Sequence, residues 1–185
     1  MSSSLRVSLA MLCLASVALG EPDPALRGRV EGLLGSYRTV GAEQWRALGP
    51  DAAPILASVV SDPAALPTFR ARALAALGVV DPASAAPHVQ RFLADASAPR
   101  PLRSAAIGAA PGVLGEQAAL PLLRSFLVGN DRTLSEVSAR ALSRAGAASC
   151  AVLKSEARRR PDRESFARSA AACEARLRAG SQPAE

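Results

Sequence analysis

The side chains equipped for chemistry are few. One histidine (His88), the cysteines Cys150 and Cys173, the loop carboxylates Asp62, Asp95 and Asp131, and scattered serines make up the inventory beyond the N-terminal segment. A nucleophilic serine needs a base within hydrogen-bond reach, and His88 is the only imidazole. One histidine and two cysteines fall short of an ordinary His/Cys zinc site. The chain has no H-E-x-x-H, no G-x-S-x-G, no P-loop and no Rossmann glycine pattern. A dithiol redox centre would need a close C-x-x-C pair, which is also missing. The three aspartates recur in loops at similar spacing, where helix capping accounts for them better than acid–base work. His88 follows Pro87 at an expected helix start and reads as an exposed or capping residue. The expectation is a non-enzyme with no metal and no cofactor.

Cys150 and Cys173 suit a different chemistry. Cys13 sits in the N-terminal segment, so the rest of the chain keeps an even pair. In an oxidising compartment such a pair suggests a disulfide, and a closed loop of this length contributes about 3 kcal/mol in the chain-entropy model. The alternative is two buried free thiols.

The elements that must position these residues are helices. The chain has 185 residues, 49% of them apolar, but only 3% are aromatic, so Ala and Leu dominate any core. That suits closely packed helices, because strands want β-branched and aromatic residues. One segment type recurs along the chain. It is clearest in Phe69-Arg70-Ala71-Arg72-Ala73-Leu74-Ala75-Ala76-Leu77-Gly78 and returns at Leu102 to Ala110 and at Val137 to Gly146. Val40 to Gly49 fits the same frame upstream, and Phe166 to Cys173 looks like a last half-copy. A second segment type alternates with the first and opens at Pro54, Pro87, Pro121 and Ala151. Proline in a first turn loses no hydrogen bond, so these prolines mark expected helix starts. Gly49, Gly78 and Gly146 stand where a left-handed cap would end each first helix. A lone helical hairpin cannot bury its apolar face and has to stack on another.

This pattern resembles the short HEAT-like repeat named after phycobilisome lyases, whose first helix reads roughly aliphatic-Arg-x-x-Ala-x-x-Ala-Leu-Gly. Residues 69–78 match nearly throughout. The copy at 102–110 lacks the Leu-Gly ending and breaks with Pro111-Gly112, so that hairpin is expected to be wider or kinked; the copy at 137–146 has Ser138 in place of Arg. The resemblance implies an all-α fold, an α-solenoid of about four hairpins over residues 40–160, with second helices lining a concave protein-binding face. It does not imply lyase activity. Residues 21–39 and 161–178 would be capping helices, and 179–185 a frayed tail. A half-repeat cap at the C-terminal end would set Cys173 beside the helix that begins near Cys150. A generic up-down helical bundle is the structural alternative.

On that frame the outward residues of the second helices are Gln90, Arg91, Arg124, Lys154 and Arg158, candidates for a concave binding face. Arginine offers bidentate geometry to carboxylate or phosphate, although a solvated helix face has the same composition. The formal net charge is +6. The basic excess lies beyond Arg100, so attachment to an anionic polymer or surface through the Arg-rich C-terminal half is the alternative to binding another protein. Nucleic acid is a poor partner, because stacking aromatics are scarce.

Residues 1–20 read as a cleavable secretory signal: Arg6, then the uncharged stretch Val7 to Leu19, then small residues at Ala18 and Gly20 ahead of Glu21. That stretch makes about 20 Å of helix, too short to span a bilayer. The expectation is a bacterial exported protein, periplasmic or secreted, with no transmembrane segment after cleavage, serving as a protein-binding scaffold.

Overall fold

The computed structural model describes residues 23–180. The expected signal at 1–20, with Cys13, and the end of the expected tail lie outside the described residues. Within them the chain is all-helical: α1 Pro24–Gly35, α2 Ala42–Arg46, α3 Ala52–Ser61, α4 Pro67–Val80, α5 Pro82–Ala94, α6 Arg100–Val128, α7 Arg132–Ala145, α8 Ala147–Arg159 and α9 Glu164–Gly180. Helix α6 is two helices in direct succession, interrupted at Gly115 with φ +78°.

Each start has a local cause. Asp23, Asp81 and Asp131 accept backbone N–H groups at the heads of α1, α5 and α7, supplying acceptors that the first turn lacks. Pro24, Pro67, Pro82 and Pro101 occupy first turns, where a missing N–H costs nothing. The helices pack around one apolar core that includes Leu34, Leu56, Leu74, Leu102, Leu142 and Phe166, all fully buried. Helix α4 lies closely against α6, and α7 against α6 and α9, whereas α3 with α5 and α6 with α8 meet only briefly.

Small residues permit the close approaches. A Cβ on Gly78 would lie 3.1 Å from Val113 Cγ2 and 3.5 Å from Ala109 Cβ. Gly78 therefore sits inside α4 as a contact point with α6 and is not the expected left-handed cap. Gly146 is extended, and the Glu116 carboxyl occupies the space its Cβ would need. Of the three expected glycine caps only Gly49 has positive φ, at +78°. The other left-handed glycine is Gly115: the first half of α6 runs on through Pro111 and Gly112, and the break falls three residues later. Pro87 and Pro121 also depart from expectation. Both lie inside helices, because Asp81 and Pro82 begin α5 and Gly115 begins the second half of α6. Pro54 does fall early in α3, close behind Asp51.

Polar links cross between helices distant in sequence. Glu116 Oε1 accepts the Ser149 N–H at 2.8 Å across 33 residues, capping α8 from the second half of α6. Arginines donate to the free carbonyls at helix ends. Arg70 reaches Val60 O at 3.0 Å, and Arg72 reaches Leu34 O at 2.9 Å and Ser36 O at 3.0 Å. Arg160 reaches Leu127 O and Val128 O, each at 3.3 Å, and Arg176 reaches Ser143 O at 3.2 Å. A cation placed there satisfies an orphan carbonyl and opposes the negative end of the helix dipole. Buried Ser135 and Ser138 donate to Leu127 O and Leu123 O at 2.9 and 2.6 Å.

Candidate functional site

The chemistry-bearing side chains are largely taken up by the fold. Asp81, Asp95 and Asp131 are held below the usual carboxylate range, the first two mainly by the Ser84 and Ser97 hydroxyls and Asp131 by the Leu134 N–H. Asp62 accepts the Ala64 N–H at 2.8 Å. His88 is half-buried on α5, and that burial, with Arg91 adding repulsion, lowers its pKa from 6.5. Cys150 on α8 and Cys173 on α9 are buried, with Cα atoms 5.8 Å apart and their sulfurs bonded. Among the described residues no three His, Cys, Asp or Glu side chains gather where a metal ion could sit. Also among them, no helix is long and apolar enough to cross a membrane.

All five residues expected on the second helices are exposed: Gln90 and Arg91 on α5, Arg124 on the second half of α6, Lys154 and Arg158 on α8. They are not all free. Lys154 Nζ lies 2.5 Å from Glu174 Oε1, and the Arg91 guanidinium lies 4.5 Å from the centre of the Phe92 ring. Lys154 and Arg158 share a shallow hollow against α9, which Glu174 also lines. Gln90, Arg91 and Arg124 stand on other helices.

A recess that no sequence motif marks lies on other helices. It is an open apolar trough of roughly 540 Å³ between α4, the first half of α6, and α7. Ala105, Gly108, Ala109 and Gly112 of α6 form its floor, presenting nothing larger than a methyl group. These positions are three and four apart, so they share one helix face. Gly78 and Val79 form one wall, and Ala145 and Arg144 the other. A Cβ placed on Gly108 or Gly112 would meet nothing within 4 Å. The trough adjoins a second hollow of roughly 300 Å³ at Ala75, where Trp45, Tyr37, Arg38 and Arg72 contribute.

The electrostatics of this face are one-sided. No carboxylate lines either hollow. Partial burial, with Arg140 adding repulsion, lowers the Arg144 pKa below the ordinary arginine value, yet a guanidinium with so high an intrinsic value stays charged. Among the described residues Arg144 has no hydrogen-bond or ion-pair partner. The sequence signal for this surface was present in the small residues from Ala105 to Gly112, but periodicity alone reads them as an imperfect repeat copy. The arrangement can hold an apolar body and one or two negative charges; it places no nucleophile beside a base. Comparison of the chain with protein-family models, with curated proteins and with solved structures gave no match.

Proposed function

We propose that this protein is a non-catalytic interaction scaffold of the HEAT-like solenoid kind, holding a partner protein through the trough on its first helices. The observation that carries the reading is the trough itself: an open apolar surface across three helices, beside chemistry-bearing side chains already used to cap, bridge and pack. Four hairpins, α2–α3, α4–α5, the two halves of α6, and α7–α8, with α1 and α9 as end caps, account for the helix order. Hydrogen bonds from the Ser149 N–H to Glu116, from Arg160 to Leu127 and from Arg176 to Ser143 each span 33 residues, the interval expected between equivalent points of stacked repeats. The sequence expectation put the binding face on the second helices, so the two sides make rival predictions.

Attachment to an anionic surface has weaker support. Arg160 and Arg176 of the basic C-terminal half serve helix ends, and Lys154 is ion-paired. Export to the periplasm or beyond belongs to the same proposal, since the cysteine pair suits an oxidising compartment.

The test is crosslinking of the full chain in its own host, followed by recovery of whatever it holds. Gly108→Leu fills the trough; Arg91→Glu with Arg124→Glu reverses charge on the second helices. Capture abolished by Gly108→Leu alone supports the trough. Capture abolished only by the charge reversals moves the face to the second helices, and no specific capture removes the scaffold reading. Sequencing the recovered protein from its N-terminus tests export: a start at Glu21 is expected, and a start at the first residues would contradict it.

A further inference from the structure

We infer that the trough receives one amphipathic, acidic α-helix of the partner protein, laid over α6 with a carboxylate on Arg144. This rests on the reading of the trough as the binding face.

The occupant's conformation follows from what the trough lacks. Its floor and walls are helices whose backbone groups are already bonded within themselves, and no strand edge occurs among the described residues. A segment entering such an apolar surface finds few partners for its own N–H and C=O groups, and leaving these unpaired is costly. A helix satisfies them internally. The floor also fits a helix. Methyl groups and bare Cα positions at Ala105, Gly108, Ala109 and Gly112 let an incoming helix approach closely, and its aliphatic side chains supply the ridges that this floor lacks.

The occupant's charge follows from Arg144. It is an exposed residue at the wall of the trough, has no carboxylate partner and feels Arg140 nearby. Arg38 lines the adjoining hollow, again with no acid among its lining residues, whereas Arg72 there is already committed to Leu34 O and Ser36 O. A carboxylate arriving with the partner would accept charge-assisted hydrogen bonds from Arg144 and relieve its repulsion from Arg140. The apolar stripe of such a helix covers the floor and its acidic flank meets the arginines.

The test is selection from a displayed library of random, helix-biased peptides on the immobilised full chain, with the Gly108→Leu protein selected in parallel. Gly108→Leu and a second variant, Gly112→Leu, fill the trough where open space receives the new side chain, and melting at or above the wild-type temperature verifies each fold. Peptides enriched by the wild type alone are expected to be acidic, with apolar residues at helical spacing. Arg144→Gln is expected to weaken them about tenfold, and glutamine in place of their acids is expected to erase the difference between Arg144→Gln and wild type. Enrichment of neutral or basic helices that is lost in Gly108→Leu would overturn the acidic helix while leaving the trough as the binding face. The same enrichment on wild type and Gly108→Leu, or none on either, would overturn both.

Discussion

The two halves of the molecule are held together by different means. From α1 to α5 the helices are joined by apolar packing around Leu34, Leu56, Leu74 and Leu77, with Arg70 and Arg72 as the polar ties. From α6 to α9 the packed helices carry a denser set of links: Ser149 to Glu116, Ser135 and Ser138 to α6, Arg160 and Arg176 to helix ends, and the Cys150–Cys173 bond. The second half is also the one in which polar residues enter the interior, with Ser135, Ser138, Ser149 and Glu156 buried. A buried serine stabilises little unless its hydroxyl finds an acceptor. Two of these do find one, in carbonyls of α6. Where more polar residues enter the core, hydrogen bonds between helices and a covalent tie join it.

Perturbations that act on one half alone would sharpen this contrast. The largest effect is expected from Leu74→Ala, which empties a fully buried site and should cost about 2–5 kcal/mol; hydrogen exchange should quicken first in α3 to α5. Equal loss of protection through α9 would show one cooperative unit and break the comparison. Next, Cys150→Ser with Cys173→Ser should cost about 3 kcal/mol, with exchange rising in α8 and α9 and little change in α1 to α4. An intact-mass measurement before and after reduction tests the bond directly: a gain of two hydrogens is expected if it is present.

Glu116→Ala removes the acceptor at the head of α8 and should cost about 1 kcal/mol in a denaturant titration. A change within error would mean that water replaces the carboxylate. Gly108→Ala runs the other way. Helical glycine with open space above it should gain about 0.5–1 kcal/mol from alanine, read as a higher melting temperature. A loss would show that the floor of the trough is more crowded than its geometry indicates.

The smallest effect is a pH step. His88 binds a proton less readily folded than unfolded, so stability is full above about 6.5 and falls as pH drops from there toward the lower folded value. Asp81, Asp95 and Asp131 are lowered too, and their contribution is lost only as pH falls below the ordinary carboxylate value of 3.8. His88→Gln should remove the upper step in melting temperature against pH and leave the lower one.

Individual residues show why some of this was legible in the sequence. Low aromatic content and Ala-Leu spacing point to helices, and Asp131 read correctly as a cap because capping involves neighbours in the chain; Asp62 and Asp95, expected as caps too, instead close turns after α3 and α5 by accepting the Ala64 and Ser97 N–H groups. Gly49 was read correctly as left-handed because its conformation, like Asp131's cap, depends on neighbours in the chain. Gly78 and Gly146 were not. Each serves by lacking a Cβ where Val113 or Glu116 arrives from a distant helix, and no local pattern reports that. Pro87 misled because proline tolerates a first turn but does not have to mark one, and Asp81-Pro82 already supplied the start. The trough escaped notice because a repeat pattern separates buried from exposed positions, whereas a recess depends on how far apart whole helices stand. The arginines show the same limit: composition reveals their excess, and only tertiary structure shows that Arg72, Arg160 and Arg176 are committed to carbonyls.

The meeting of Glu116 with Gly146 has a consequence for how this chain can change over generations. A methyl group at position 146 would push the Glu116 carboxylate aside, and because that carboxylate ends a flexible side chain, the cost is the cap on Ser149. Shortening position 116 forfeits the same cap, so the two substitutions are non-additive. Either order keeps a foldable intermediate, and once one change is made the cap no longer holds the other position. In descendants of this chain, a residue other than glycine at 146 should therefore accompany a short side chain at 116.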